Sequence, residues 1–294
     1  MMRDEEADDT GVGEGTDATA SQSRREMLST AGMAALGGAT VAMSASKVPG
    51  MLAEPPVERD EIGRYSHRSA RPGPCEIRWC ASVNRDAIAL TFDDGPDPDI
   101  TPGVLRSLDR HGATATFFVV GQLAESNPGL LEQIVEAGHE IGNHSWSHLE
   151  AVGLDQDATD REVGDAQELL ESMTGIAPRW YRPPRGQVTG AVMSSAARNA
   201  LDVAMWTQRF GVQDPAETPE LGPLVGGMQA GDFVLVHDGV VESLLNPISK
   251  GAFQKRRRRM ADAAALDELL DRLGGEGWQF DTVSALVDSE APGA

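Results

Sequence analysis

Two adjacent carboxylates, Asp93 and Asp94, close the run Ala87 to Phe92 and are followed at once by Gly95-Pro96. Apolar strand formers that end in two acids and a Gly-Pro turn read as a buried strand whose tip delivers both acids into a loop. Neighbouring residues at a strand end diverge, so the two can be given different partners, one binding a metal while the other moves a proton. The same four residues also satisfy an ordinary turn, since each is a turn former. A second stretch bears on that choice. Glu140 to His148 reads EIGNHSWSH and holds His144 and His148 four apart. That spacing puts both imidazoles on one face of a helical turn and within reach of one ion. Two histidines and a distant carboxylate make a three-ligand set that leaves a coordination position for water.

The elements that must position these groups alternate between strand-like and helical runs, the signature of β/α units around a parallel sheet. Strands are expected at Ala87 to Phe92, Ala115 to Val120, Glu140 to Asn143, Trp180 to Arg182, Val203 to Trp206, Phe233 to Val236 and Trp278 to Phe280. Helices are expected at Thr101 to His111, Pro128 to Ala137, Asp157 to Thr174, Ala191 to Ala200, Glu220 to Gln229 and Ala261 to Gly274. Each motif then falls at the C-terminal end of a strand, on a single rim.

These residues resemble the carbohydrate esterase family 4, or NodB-homology, polysaccharide deacetylases over about Asn84 to Val287. Thr91 to Pro96 is similar to the family's first motif and His144 to His148 to its second. Tyr181-Arg182-Pro183-Pro184-Arg185-Gly186 is similar to the third, and Leu235-Val236-His237-Asp238 to the fifth. The resemblance implies an α/β fold, a distorted (β/α)7 barrel forming a single catalytic domain. It implies that Asp94, His144 and His148 hold a divalent metal, zinc above others, with Asp93 as general base, Arg182 orienting that base, and His237 as catalytic acid. Leu235 and Trp206 match walls of an acetyl pocket. Arg185 stands where many members have tyrosine, at a position whose backbone N–H belongs to an oxyanion hole. The fourth motif departs from the family: Asp214 is the one substitute for an aspartate that tunes the acid histidine. His139, His111 and His67 match no ligand.

With 294 residues, 40% of them hydrophobic, the chain suffices for one sizeable core. Its net charge of −21, with lysine only at 47, 250 and 255, argues against nucleic acid, whose phosphates need cationic partners. It fits a high-salt setting or plain solubility. Residues 1–47 read as a disordered acidic tail followed by a Tat-like signal, in which Arg24-Arg25 precede a weakly apolar stretch too poor for a stable membrane span. The export it predicts leads to an extracellular or cell-surface location. Residues 48–83 read as a lead-in, and 84–289 as the deacetylase domain. Cys75 and Cys80 are the only cysteines, and in an exported chain such a pair is expected to form a disulfide. Gly239 to Met260 is longer than the usual connection after the fifth motif. It contains Lys255-Arg256-Arg257-Arg258-Arg259, which reads either as a contact for an anionic glycan or as a solvated helix face.

The leading expectation is an exported metal-dependent N-deacetylase of an N-acetylated polysaccharide or oligosaccharide. An O-acetyl esterase on xylan, or an amidase on a small substrate, keeps the site and changes the bond. A catalytically weak glycan-binding protein is the reading from another class.

Overall fold

The computed structural model describes residues 75–211, 221–241 and 249–290. The acidic tail, the Tat-like segment, most of the lead-in with His67, Asp214, and part of the 239–260 insertion lie outside the described residues. Among the described residues, nine strands form one parallel sheet: β1 (Ile77–Arg78), β2 (Ala87–Asp93), β3 (Thr116–Val119), β4 (Glu140–Asn143), β5 (Trp180–Tyr181), β6 (Asp202–Ala204), β7 (Gln208–Arg209), β8 (Phe233–His237) and β9 (Gln279–Asp281). Their order is β1-β6-β5-β4-β3-β2-β8-β7, with β9 on the first residues of β2. The sheet curls into an incomplete barrel flanked by helices, the distorted barrel expected. The helices are α1 (Thr101–Arg110), α2 (Gly121–Ser126), α3 (Pro128–Glu136), α4 (Gln156–Thr174), α5 (Gly190–Arg198), α6 (Leu221–Gly227), α7 (Lys250–Gly275) and α8 (Val283–Asp288).

Strand β2 is buried along its whole length because neighbours cover both of its faces, which is why its sequence is apolar without alternation. On β8 the period of two is visible: Val234 and Val236 pack outward with Leu266, Leu269 and Leu273 of α7, while Phe233 packs inward with Ala87, Ala89 and Trp180. The α7 leucines recur at the three- and four-residue steps that give a helix one apolar stripe. Each such side chain contributes roughly 1.5–3 kcal/mol by leaving water. Helix α4 starts where the Asp155 carboxylate accepts from Ala158 N–H and stops at Gly175, whose φ of 72° suits a residue without Cβ. In register, Asp93 stands opposite His237, Val119 opposite Asn143, and Asn143 opposite Tyr181. All three motifs that follow these positions therefore share one rim.

Three expectations need correction. Residues 144–148 are not helical; they form a loop after β4 in which Ser145 and His148 have φ of 69° and 60°. The last long helix begins at Lys250 rather than Ala261, so the basic run lies in its second and third turns. The cysteines are not joined: Cys75 and Cys80 are both free thiols. Between them β1 is paired to β6, the chain bends at Trp79, and Cys80 is bridged to Asp232. Extended residues such as Ile77–Arg78 lengthen the span between the thiols, whereas a disulfide needs Cα atoms about 4.4–6.8 Å apart. Burial also pushes the Cys75 thiol up to about 11, which keeps it protonated.

One buried histidine makes the fold acid-sensitive. His139 is 8% exposed, lies 5.2 Å from the Phe117 ring, and neither ring nitrogen has a hydrogen-bond partner among the described residues. Burial lowers its pKa from 6.5 to about 4. Between those values the unfolded chain binds the proton and the native one does not, so stability is complete above about pH 6.5 and declines as pH falls towards 4. His139→Phe should remove about 2 kcal/mol of that decline. Urea titrations of both proteins at pH 7 and 4.5 measure it, and identical pH dependence would show that His139 is not responsible.

Candidate active site

The two acids at the tip of β2 are 4% and 3% exposed and face different partners. Asp93 ends the strand, and its Oδ1 accepts from the Arg182 guanidinium at 2.8 Å. Asp94 turns out of the strand with φ of 74°, left-handed geometry that side-chain-bearing residues seldom adopt, and its Oδ1 lies 3.1 Å from His148 Nε2 and 3.5 Å from His144 Nε2. Backbone approach holds this turn closed. A Cβ on Gly239 would sit 1.8 Å from the Asp94 carbonyl oxygen, and one on Gly95 would sit 2.3 Å from Asp238 Oδ2. Only glycine lets the first and fifth motifs pack this tightly.

The histidine loop is fixed from several sides. Ser145 N–H donates to Asn143 Oδ1, His148 N–H donates to Ser145 Oγ, and Ser147 donates through N–H and hydroxyl to Glu162 of α4. Asn143 in turn donates to Val163 O and Gln167 Oε1. Positive φ at Asp94, Ser145 and His148 costs energy at each position and persists where surrounding bonds over-determine it. The result is a pair of rings with centroids 5.0 Å apart.

Arg182 is fully buried. Nε donates to Ala204 O, one terminal nitrogen to Thr91 Oγ and Asp93 Oδ1, the other to Met205 O, and the guanidinium lies 4.0 Å from the Phe118 ring centre. Burial lowers its pKa while Asp93 opposes that shift. The Arg182 carbonyl accepts the Nδ1 proton of His144 at 2.7 Å. That bond leaves Nε2 of His144 as the free lone pair, aimed at Asp94 Oδ1 and, at 3.7 Å, Asp93 Oδ2.

Asp94, His144 and His148 thus offer three ligand atoms that all lie within 4.8 Å of one another. Lone pairs converging from an imidazole and a carboxylate repel unless a cation lies between them, so the donor set fits a divalent metal. Burial alone would raise the pKa of Asp94, but the imidazoles of His144 and His148 beside it, which favour the ionised carboxylate, hold it well below the usual carboxylate range.

His237, at the end of β8, is half-buried, and its buried Nδ1 has no hydrogen-bond partner among the described residues. Burial pushes its pKa well below 6.5; Asp94 opposes this, and Arg259, Arg209 and Lys255 add to it. Its neighbour Asp238 is raised to about 7 by burial, although Oδ2 accepts from Thr101. Leu235 is buried on the same face of β8 as His237. Trp206 lies against Arg182 at 5.6 Å and covers Gly186. Arg185, with φ of 56°, is paired at its exposed guanidinium with Glu150 instead of joining the acids. His111 sits near Asp267 and Asp271, away from the cluster.

Two groups that sequence reasoning did not assign to the site reach it from α7. Lys255 Nζ is 3.8 Å and an Arg259 terminal nitrogen 3.7 Å from Asp94 Oδ2. The basic run was visible in the sequence, but nothing local pointed it at Asp94.

The profile of the family Polysaccharide deacetylase matches residues 81–204. A peptidoglycan-N-acetylglucosamine deacetylase of Bacillus cereus is 33% identical over 217 residues, covering 72% of this chain and 92% of that protein. The peptidoglycan-N-acetylmuramic acid deacetylase PdaC of Bacillus subtilis is 34% identical over 211 residues, 70% of this chain but only 39% of that longer protein. Among solved structures, the Bc1960 peptidoglycan N-acetylglucosamine deacetylase superposes with a TM-score of 0.60 at 26% identity, covering 73% of this chain and 95% of that one. A family 4 carbohydrate esterase from Streptomyces lividans, in complex with acetate, gives 0.54 at 26% identity, with 68% and 93% covered. With the fold, the cluster of ligand atoms and these relatives in agreement, the chain belongs to the polysaccharide deacetylases of carbohydrate esterase family 4.

Proposed function

We propose that this chain is an exported, zinc-dependent deacetylase that hydrolyses the N-acetyl groups of a cell-wall glycan of the peptidoglycan type, with residues 84–289 as its catalytic domain. The observation that carries the reading is the convergence of Asp94, His144 and His148 beside the Asp93–Arg182 pair. The naming of relatives as peptidoglycan deacetylases supports the substrate class. The twin arginine at 24–25 supports export through a Tat-like route. Among the described residues no helix is long and apolar enough to cross a membrane.

Asp94, His144 and His148 would hold the ion. A divalent metal supplies Lewis acidity there, lowering the pKa of water and polarising a carbonyl. Arg182 holds Asp93 by Oδ1, which leaves Oδ2 on the histidine side as the base that takes a proton from the attacking water. His237 gives a proton to the departing amine nitrogen. Its place in register opposite Asp93 sets it on the same rim as the ligand cluster. Leu235 and Trp206 would enclose the acetyl methyl, and the backbone at Arg185 would face the developing oxyanion.

Acetate release should be measured on peptidoglycan fragments, chitooligosaccharides and O-acetyl xylan. N-acetyl glycans should release acetate, a chelator should abolish the reaction, and zinc should restore it. Full activity in metal-free protein would refute the mechanism, and release from xylan alone would assign an esterase.

A further inference from the structure

Helix α7 is capped at its start by Ser249, whose side chain accepts from Ala252 N–H, and its second and third turns lay a basic face beside the cluster. A cavity of about 320 Å³ opens there, lined by Arg209 of β7 with Gly251, Gln254, Lys255, Arg258 and Arg259 of α7. That size is at the small end of ligand pockets, room for one sugar unit. Four cations in so small a space are unusual for a chain of net charge −21. Nor is this simply the arginine run finding carboxylates. Arg256, from the same run, leaves the pocket to pair with Asp97 and Asp99. Arg259 is 8% exposed and its Nε is buried without a partner among the described residues, although its terminal nitrogens reach Asp262 at 3.4 Å and Asp94 at 3.7 Å. An unpartnered donor in a buried guanidinium costs free energy that an acceptor in the pocket would recover. The pocket also adjoins the chemistry directly. One oxygen of Asp94 faces the two histidines and the other faces Lys255 and Arg259.

We propose that this pocket is an anion subsite that binds an acidic group, carboxylate or phosphate, on the glycan next to the N-acetyl sugar being hydrolysed. The inference rests on the deacetylase reading for its orientation, but binding can be tested without turnover. On an acidic protein a negatively charged polymer is repelled overall, so local cations beside the site select where an acidic glycan docks. Guanidinium groups suit both oxyanions because their paired N–H bonds match carboxylate and phosphate oxygens.

The test is calorimetric titration of the zinc-loaded full chain carrying Asp93→Asn, so that turnover does not consume the titrant. Chitotetraose is the uncharged probe, and hyaluronan tetrasaccharide, with alternating carboxylates, is the acidic one. N-acetylglucosamine 6-phosphate against N-acetylglucosamine separates phosphate from carboxylate recognition. At least one acidic probe should bind about tenfold tighter than its neutral partner. Arg258→Glu, and separately Arg209→Gln, should shrink that ratio, as should added salt. Equal affinities for both pairs, or a preference that neither substitution changes, would overturn the subsite. If acidic preference behaves as expected while no glycan releases acetate from the unsubstituted enzyme, the subsite stands and the deacetylase reading fails.

Discussion

Asp93→Asn should lower kcat by roughly 10²- to 10⁴-fold, the value of a positioned base, while the protein keeps its metal. The asymmetry comes from the two acids' surroundings. Asp93 Oδ1 is held by Arg182 and is not one of the three clustered ligand atoms, whereas Asp94 Oδ1 faces both histidines. Asp94→Asn replaces an anionic ligand with a neutral amide and should therefore lose metal. Excess zinc should partly restore Asp94→Asn and leave Asp93→Asn unchanged. Atomic absorption and acetate release on both variants measure the two effects separately; if the variants behave alike, or exchange behaviours, the division of labour is wrong.

Arg182→Gln should be the most destabilising single change in the site. It leaves the Asp93 carboxylate, 4% exposed, without its counter-charge, and removes donors from Ala204 O, Met205 O and Thr91 Oγ. Breaking one side of a buried pair costs about 3–5 kcal/mol. For a domain of this size each kcal/mol lowers Tm by about 2–4 °C. Arg182→Lys keeps the charge but cannot fork to four acceptors at once, so it should recover only part of the loss. Urea denaturation decides the matter: a stability within 1 kcal/mol of the parent for Arg182→Gln would mean that the pair contributes little to folding.

The residues of the site were legible because their signals are local. Asp93 and Asp94 sit at a strand tip whose apolar lead-in, Ala87 to Phe92, announces itself, and β2 is observed at Ala87–Asp93. Strand β4 is found at Glu140–Asn143 as read, and α4 within a residue of its expected start. Period, caps and turn residues act over a few positions, and so they can be read without knowing the fold. The short pieces β1, β7, α2 and α8 were missed because two to six residues carry too little periodic signal.

What the sequence determined, then, is the chemistry available: two adjacent acids, a histidine pair, a buried arginine and a terminal histidine, each placed at the end of a strand. Which atoms meet was decided by tertiary structure. The spacing of His144 and His148 suits a helix, yet left-handed residues in a loop bring the rings together, held by Asn143 and Glu162 from outside it. Cys75 and Cys80 are close in sequence, but pairing of the intervening strand with β6 keeps them apart. The basic run at 255–259 is a helix face in any local reading; packing of α7 on β8 and α1 turns Lys255 and Arg259 onto Asp94. Each of these outcomes depends on contacts between residues far apart in the chain, whose energies exist only once the sheet has formed and so leave no mark on the local pattern.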